Sequence, residues 1–346
     1  MKTKIYLFIF AILIIITGYT LYQANAEGNT EKEKDFKVEN FEDVTEINIT
    51  DRMGKNMNLK KVDDKWLLND KYPVRELLFE EMKEALTKME AYSPVPNIGK
   101  NTIVQQMVSE AVKVEVFKGR KKDKVIYVGG PNLQNNASHM YLEIDGKSSK
   151  QIYNVGIPGF RGYLTTRFLI NENEWRSKEI FSYLPSEVKT VEVKYFKETG
   201  YENFILTNEK NNFTIETDGK KMSGEDLNLS NIVNYLKMFE NQQVMSYVFS
   251  EAADKTLKDS LLVVNKFAEF SLTDQTNKTQ KITIVDMPLN ESSKQQYDAN
   301  GDPMAYDVDY KFVIFGEKSE WGVITNERFG RLLVSPYLFL KNNIKQ

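Results

Sequence analysis

The stretch VTEINITDRMGKNMNLKKVDDKWLL, residues 44–68, decides the fold of this chain. Its apolar residues alternate with polar residues in short runs, and the turn-forming sequences MGKN (53–56) and Asp63-Asp64 separate those runs. A period of two is that of a strand with one buried face. The stretch therefore predicts a three-stranded antiparallel meander. Its buried positions are expected to be Ile47 and Ile49, Met57 and Leu59, and Trp66 and Leu68.

Two helices are predicted to follow the meander. Apolar residues recur at helical spacing over 74–89, and Pro73 suits the first turn of that helix. The prolines in SPVP (93–96) would end it. A second helix is predicted over about 101–111. Further strands are predicted at 112–116, 125–128, 140–144 and 151–155.

The N-terminus carries the apolar run IYLFIFAILIIITGYTLY, residues 5–22, which holds no charge. A run of about 18 apolar residues is long enough to cross a bilayer as a helix, and Lys2 and Lys4 favour a cytoplasmic N-terminus. A cleaved secretory signal is the other interpretation, because Ala24-Asn25-Ala26 fits the small-x-small cleavage pattern. Both interpretations export the rest of the chain, and we expect an uncleaved inner-membrane anchor with the remaining residues in the periplasm.

The second half of the chain repeats the order of elements of the first half. The sequence KITIVDMP (281–288) parallels KVIYVGGP (124–131), and a polar insertion at 289–307 is expected to form a long surface loop. The same internal spacing relates Val188, Val191 and Val193 to Val44, Ile47 and Ile49. The predicted fold class is therefore α+β: two tandem repeats of an antiparallel meander plus helices, preceded by one N-terminal transmembrane helix.

The chain is expected to divide into four segments. These are a transmembrane anchor or signal segment at 1–26, a charged linker at 27–40, a first α+β repeat at 41–184 and a second at 185–346.

Composition excludes several classes of function. The 46 basic and 49 acidic residues give a net charge of −3, which offers no electrostatic reason to bind nucleic acid. The chain has no cysteine, so disulfides, thiolate nucleophiles and Cys-ligated metals are excluded. The only histidine is His139, which argues against a His-based triad or a multi-His metal site. We therefore expect no cofactor, no metal and no enzymatic activity.

A group of sequence motifs resembles a known family over about residues 35–195. The motifs are KWLLN (65–69), YPVR (72–75), VKVEV (112–116), YVGGP (127–131), IPGFRGYLTTRF (157–168) and EWR (174–176). They resemble the membrane-anchored bacterial proteins catalogued as domain of unknown function 4340, common in the Bacteroidetes group. No catalytic residues are established for that family, so the resemblance implies none here. It implies an association with ABC-type export or gliding-motility-related systems of the inner membrane.

The candidate interaction site is a set of aromatic and arginine residues. Such side chains dominate protein-binding hot spots because they bury a large area at modest entropic cost. The alternative is structural, with the aromatic rings in the core and the arginines paired with local carboxylates. The set comprises Phe160, Arg161, Tyr163 and Arg167, with Trp175 and Arg176 as further members.

Three other features are expected to be structural. Gly129-Gly130-Pro131 lacks the spacing of a phosphate-binding loop and is predicted to end a strand. Asp63-Asp64 is predicted to form a hairpin turn instead of an acid–base pair. His139 is predicted to be an ordinary strand or surface residue.

The function expected from the sequence is that of a non-enzymatic extracytoplasmic accessory subunit. It would be held in the inner membrane by residues 5–22 and would bind other subunits of a membrane complex, such as an ABC-type export or gliding-motility-related system. One alternative is a periplasmic small-ligand or lipid-binding module that uses a cleft between the two repeats. The other is an extracytoplasmic hydrolase, which requires converging carboxylates or an activated serine.

Overall fold

The computed structural model of the chain describes residues 14–17, 32–197, 200–248, 255–317 and 319–341. The anchor predicted at residues 5–22 lies outside these ranges except for a helical segment at 14–17, and the linker at 27–40 is described only from residue 32. Within the described ranges, none of the helices has both the length and the apolar character needed to span a bilayer.

The chain forms two compact units, Met1–Ser177 and Lys178–Gln346. Each unit combines helices with a large sheet of antiparallel strands, which confirms the prediction of a mixed α+β chain built mainly of antiparallel strands. We expected the boundary between residues 184 and 185. The division falls earlier because the strand at Glu179–Phe181 pairs with Gln242–Gln243 and so belongs to the second unit.

Besides the helical segment at 14–17, the described residues of the first unit contain ten strands of one sheet and three α-helices. Short 3₁₀ helices lie at Phe41–Asp43 and Thr165–Phe168. The elements are β1 (Val44–Thr50), β2 (Asn56–Val62), β3 (Lys65–Leu68), β4 (Tyr72–Pro73), α1 (Glu76–Lys88), β5 (Glu90–Pro94), α2 (Lys100–Glu110), β6 (Val112–Lys118), β7 (Lys121–Pro131), β8 (Ser138–Ile144), β9 (Lys147–Ser148), β10 (Tyr153–Gly156) and α3 (Glu172–Trp175).

The strand order of the first sheet is β4-β3-β2-β1-β6-β7-β8-β10-β5, and β9 pairs with β8 off this path. Every pair of neighbours is antiparallel. Asp63 and Asp64 adopt φ values of 46° and 63° between β2 and β3, the left-handed conformation that a tight two-residue hairpin turn requires. The three-stranded meander predicted at 44–68 is therefore confirmed.

Helix α1 covers one face of the first sheet. Its apolar residues at helical spacing, from Phe79 to Leu86, are buried against that face. Ile126 and Val128 of β7 belong to the same core, whereas Tyr127 between them packs with Met107 of α2. Because alternate residues of a strand point to opposite faces, α2 covers the other face, which we call the outer face.

The second unit has the elements β11 to β21 and α4 to α6. Its 3₁₀ helices lie at Gly224–Asp226, Gly330–Leu332 and Pro336–Phe339. The strands and helices are β11 (Glu179–Phe181), β12 (Val188–Tyr195), β13 (Phe204–Glu209), β14 (Asn212–Thr217), β15 (Lys220–Ser223), α4 (Leu229–Lys237), β16 (Gln242–Gln243), β17 (Ser246–Tyr247), α5 (Lys255–Val264), β18 (Lys266–Asp274), β19 (Thr279–Pro288), β20 (Tyr306–Phe315), β21 (Glu320–Thr325) and α6 (Asn326–Phe329).

The second sheet has the strand order β15-β14-β13-β12-β18-β19-β20-β21-β17, again with antiparallel neighbours. Helix α4 buries Ile232, Tyr235 and Leu236 in the larger apolar core of the unit. Leu261 and Leu262 of α5 pack against a smaller cluster on the other face. The second unit therefore also places one helix on each face of its sheet.

Two local predictions are wrong for a shared reason. Pro73 lies in β4 and not in the first turn of a helix, since α1 begins at Glu76. The segment at 93–96 does not end the helix either, because α1 already ends at Lys88 and β5 occupies Glu90–Pro94. Pro73 in β4 and Pro94 in β5 lie in the two strands at the ends of the sheet order. A proline lacks an N–H, but in an edge strand this need not interrupt the hydrogen bonds between strands. A proline at a sheet edge is hard to distinguish by sequence from one at a helix boundary.

Candidate interaction loop and uncharged groove

The segment Ile157–Phe168, which we call the aromatic–arginine loop, is built on a tight turn. The Phe160 N–H donates to the carbonyl of Ile157 at 3.0 Å. Pro158 occupies the second turn position, and Gly159 occupies the third with a φ of 80°. These residue types and this sign of φ are the ones that a type II turn favours. The local sequence thus sets the direction in which the Phe160 side chain projects from the backbone.

The second half of the loop is fastened to the sheet. The Leu164 N–H donates to Ser138 Oγ at 2.9 Å, and Thr165 Oγ1 donates to the carbonyl of Gly129 at 2.6 Å. Leu164 and Phe168 are buried in the main core of the unit. The loop is therefore held by polar bonds to β7 and β8 and by two apolar anchors.

Arg167 connects the loop to helix α1. Its Nη1 donates to the carbonyl of Glu81 at 2.6 Å and to Glu84 Oε2 at 3.0 Å. The hydrogen bond from Arg167 and a second from Lys88 hold the pKa of the Glu84 carboxyl below its usual value. The Phe160 ring lies with its centroid 5.0 Å from the Arg167 guanidinium carbon, within cation–π range.

The aromatic rings of the loop remain accessible. Phe160 is 39% exposed and Tyr163 is 36% exposed, and Arg161 is also exposed. A Cβ at Gly162 would lie 2.9 Å from the Phe160 ring, so glycine is needed there for the ring to lie along the loop. The loop therefore presents two aromatic side chains to solvent from a backbone that is fastened to the sheet, which lowers the entropic cost of ordering the loop in a complex.

Trp175 and Arg176 lie beneath the surface. Trp175 is 2% exposed, and its Nε1 donates to the carbonyl of Leu169 at 2.7 Å. The Arg176 guanidinium lies 3.7 Å from the centroid of the Tyr72 ring, and Arg176 is also buried. Arg176 thus packs on Tyr72 of β4 and Trp175 belongs to the core of the unit, so neither side chain is part of the exposed interaction surface.

The first unit also has a groove that the sequence did not single out. Its volume is about 720 Å³, which is within the usual range for small-ligand sites. The walls come from β5, the start of α2 and the loop between β7 and β8, and the floor is the outer face of β8 and β10. The lining residues are Tyr92, Ser93, Pro96, Ile98, Gly99, Thr102, Ile103, Gln106, Pro131, Asn132, Leu133, Gln134, Asn136, His139 and Asn154.

His139 and Asn154 form the polar floor of this groove. They are opposite each other in the antiparallel register of β8 and β10. His139 is 8% exposed, and burial alone lowers the pKa of its imidazole, with no hydrogen bond or charge contributing to the shift. Asn154 Nδ2 donates to Ser93 Oγ at 3.2 Å, whereas Asn154 Oδ1 is buried and accepts no hydrogen bond from any described residue. The prediction of an ordinary strand or surface residue at 139 is confirmed as to the strand, since His139 lies in β8, but the side chain is buried and lines a groove.

Tyr92 forms one end of the groove and depends on a neighbouring glycine. Its ring lies over the backbone of Gly156, where an added Cβ would be 2.7 Å from the nearest ring atom. The ring is about half exposed.

The sequence does contain a signal for the groove. The run NLQNN (132–136) is uncharged and rich in amides, in a chain with 27% charged residues.

The second unit has a buried ion cluster on its sheet. Asp286 and Lys311 are cross-strand partners of β19 and β20, and their Oδ1 and Nζ atoms are 2.5 Å apart. Lys197 Nζ contacts Asp286 Oδ2 at 2.6 Å. Asp286 and Lys311 are both less than a tenth exposed. Each carboxylate oxygen already has a lysine partner, so the arrangement is suited to holding strands together.

No three residues among the His, Asp and Glu side chains of the described ranges come close enough together to hold a metal ion.

Neither protein-family models, nor curated proteins, nor solved structures give a match to the chain.

Proposed function

We propose that this chain is a non-enzymatic accessory subunit of an inner-membrane complex, anchored by residues 5–22 and docking with its partner through the aromatic–arginine loop. The observation that carries the docking proposal is the exposure of Phe160 and Tyr163 on a loop bonded to both the sheet and α1. Hot spots of protein interfaces favour such aromatic side chains with an arginine beside them.

The anchoring proposal rests on the uncharged run at 5–22, with lysines before it and the charged linker after it. Confinement of both partners to one membrane raises their effective concentration, so a small docking surface is sufficient for a stable complex. The resemblance to membrane-anchored proteins near ABC-type export or gliding-motility-related systems suggests the class of partner.

We also propose that the two units are tandem repeats of one duplicated α+β unit. The strand orders support this, because each strand on the path of one sheet has a counterpart at the same place in the other. The pairing registers support it as well. Ile47 opposes Val116 in the first sheet as Val191 opposes Leu272 in the second.

The docking proposal is tested by affinity purification of the full chain from membranes solubilised in a mild detergent. The double variant Phe160→Ser/Tyr163→Ser removes both exposed rings. The matched control is Met53→Ser/Tyr297→Ser, which removes two side chains that are more than half exposed elsewhere on the chain. We expect a discrete envelope protein to co-purify with the wild type and the control, and to be lost from the loop variant.

Two results would contradict the proposal. One is a wild-type chain that migrates alone in mild detergent and forms no crosslink to other envelope proteins. The other is a loop variant that retains the partner at the wild-type level while circular dichroism shows the same fold.

A further inference from the structure

We propose that the uncharged groove of the first unit binds a neutral saccharide. The inference goes beyond the docking function and does not depend on it, because the groove and the aromatic–arginine loop share no lining residue. The ligand-binding alternative expected from the sequence placed the ligand between the two repeats, whereas this groove lies wholly within the first unit.

The absence of charge in the lining narrows the class of ligand. Asp, Glu, Lys and Arg make up 27% of the chain, yet none of them lines the groove. A site for an anionic or cationic ligand would offer an opposite charge, because a buried ion without a partner is costly. Five side-chain amides line the groove, from Gln106, Asn132, Gln134, Asn136 and Asn154. Those of Asn132 and Asn136 bond to each other, with Asn132 Nδ2 donating to Asn136 Oδ1 at 2.8 Å.

The floor of the groove requires a hydrogen-bonding partner. Asn154 Oδ1 is a buried acceptor, and a carbonyl left without a hydrogen bond in that position costs free energy. His139 is more than nine-tenths buried, and no described group hydrogen-bonds its ring. A neutral imidazole carries one donor and one acceptor. Hydroxyl groups both donate and accept, so adjacent hydroxyls of one sugar ring complement the pair.

The walls supply the apolar contact that a sugar also needs. The Tyr92 ring is held over Gly156 and is about half exposed, so it offers a face on which the C–H side of a pyranose can pack. Ile98 and Leu133 are almost fully exposed beside it. The combination of amides, one aromatic face and no charge fits a neutral saccharide better than a lipid, which would use few of the polar groups.

A peptide fits the same groove less well. Peptides that bind sheets commonly add a strand to a free edge and use backbone hydrogen bonds. The polar groups of this groove are side chains on the outer face of β8 and β10, which are interior strands of the sheet order. Recognition by side chains on a sheet face is suited to hydroxyl groups arranged around a ring.

The test is a titration of the full chain in mild detergent with neutral oligosaccharides, followed by saturation-transfer NMR and calorimetry. The probes are trisaccharides of glucose in both anomeric linkages, mannotriose, galactotriose and the trimer of N-acetylglucosamine. An uncharged peptide, Gly-Ser-Gly-Ser-Gly with blocked termini, is the comparison ligand. The variants are Tyr92→Ala and Asn154→Leu. Their matched controls outside the groove are Tyr297→Ala and Asn173→Leu, which alter exposed side chains.

We expect saturable binding of at least one trisaccharide, weakened at least tenfold by each groove variant and unchanged in each control. Asn154→Leu is expected to change the melting temperature little, because it removes the buried acceptor that has no partner together with the hydrogen bond from Asn154 Nδ2 to Ser93 Oγ. A purely structural role for Asn154 predicts a lower melting temperature. The inference is overturned if no trisaccharide binds up to millimolar concentration, if the peptide binds more tightly than every trisaccharide, or if both groove variants bind like the wild type.

Discussion

The loop between β7 and β8 in the first unit and the loop between β19 and β20 in the second connect equivalent places in their sheet orders but differ in content. The first is short, amide-rich and forms a wall of the uncharged groove. The second runs from Leu289 to Ala305 and is bonded to the start of β20, with Ser293 Oγ donating to Asp307 Oδ2 at 2.6 Å. Beside it lies the ion cluster of Asp286, Lys311 and Lys197.

The difference shows which part of the sequence sets strand order and which part is free to vary. In both units the apolar residues that alternate along the strands pack into one large core on one face of the sheet. The connection between the two strands contributes little to that core, so its composition can change without changing the order of strands. One unit therefore keeps polar groups without charge, and the other pairs charges inside the protein.

The largest expected effect comes from breaking the ion cluster of the second unit. Asp286→Ala leaves Lys311 buried without its carboxylate partner, and loss of one member of a buried pair costs about 3–5 kcal/mol. We expect the free energy of unfolding of the second unit to fall by about that amount in urea denaturation. The double variant Asp286→Leu/Lys311→Met is the control, since it removes both charges and should lose much less. Equal losses in both variants would show that packing and not charge holds these strands.

The next effect concerns the contact of α2 with its sheet in the first unit. A Cβ at Gly129 would lie 2.1 Å from Met107 Sδ and 3.1 Å from the carbonyl oxygen of His139. Gly129→Ala must therefore displace the buried Met107 side chain that packs α2 on β7, and overpacking of this kind costs about 1–3 kcal/mol. The control is Gly130→Ala, because nothing lies within 4 Å of the position of its added Cβ. A melting temperature for Gly129→Ala equal to that of Gly130→Ala would contradict the described packing.

A smaller effect is expected at the end of the groove. Gly156→Ala places a methyl group 2.7 Å from the Tyr92 ring, whose half-exposed side chain can swing away. We expect a loss of stability below about 1 kcal/mol, because only a flexible side chain has to move. Saccharide affinity should nevertheless fall, since the displaced ring no longer forms the end of the groove. A loss of stability without any change in ligand affinity would separate Tyr92 from the site.

The smallest expected effect is a pH dependence that belongs to the first unit alone. Burial lowers the pKa of the His139 imidazole from its ordinary value of 6.5. Below pH 6.5 the unfolded chain then binds a proton that the folded chain does not, so stability falls as pH drops from 6.5 towards the folded pKa. Above 6.5 this contribution is fully present. Melting curves between about pH 5 and 8 should show the slope in the wild type and less of it in His139→Gln. Identical slopes in the two proteins would contradict a buried neutral imidazole.

Much of each core could be predicted from period-two alternation and helical spacing. Ile47, Ile49, Met57, Leu59 and Leu68 were expected to face inward and are buried, whereas Trp66, which was expected to be buried as well, is half-buried. Such patterns are local, since each is set by residues a few positions apart. The turn at Asp63-Asp64 was predictable for the same reason, because its residue types suit the left-handed conformation.

Non-local pairing could not be predicted, and the functional features depend on it. Asp286 and Lys311 become neighbours only through the register of β19 and β20, and His139 meets Asn154 only because β8 pairs with β10. The sequence match between KVIYVGGP and KITIVDMP also lies one residue out of register. Strand pairing places Ile126 opposite Val114 and Ile282 opposite Phe270, so Ile126 corresponds to Ile282. A shift of one residue in the alignment assigns every side chain of a strand to the opposite face of the sheet. The sequence match therefore concealed the differences between the outer faces of the two sheets.

The docking of the anchored chain through the aromatic–arginine loop is tested most directly by photo-crosslinking in intact cells. A photoreactive phenylalanine analogue would replace Tyr163 in one strain and Tyr297, an exposed tyrosine of the second unit, in another. We predict that the probe at 163 captures one discrete envelope protein in the membrane fraction and that the probe at 297 does not capture that protein. Recovery of the chain in the cytosolic fraction, or no capture from position 163, would contradict this account.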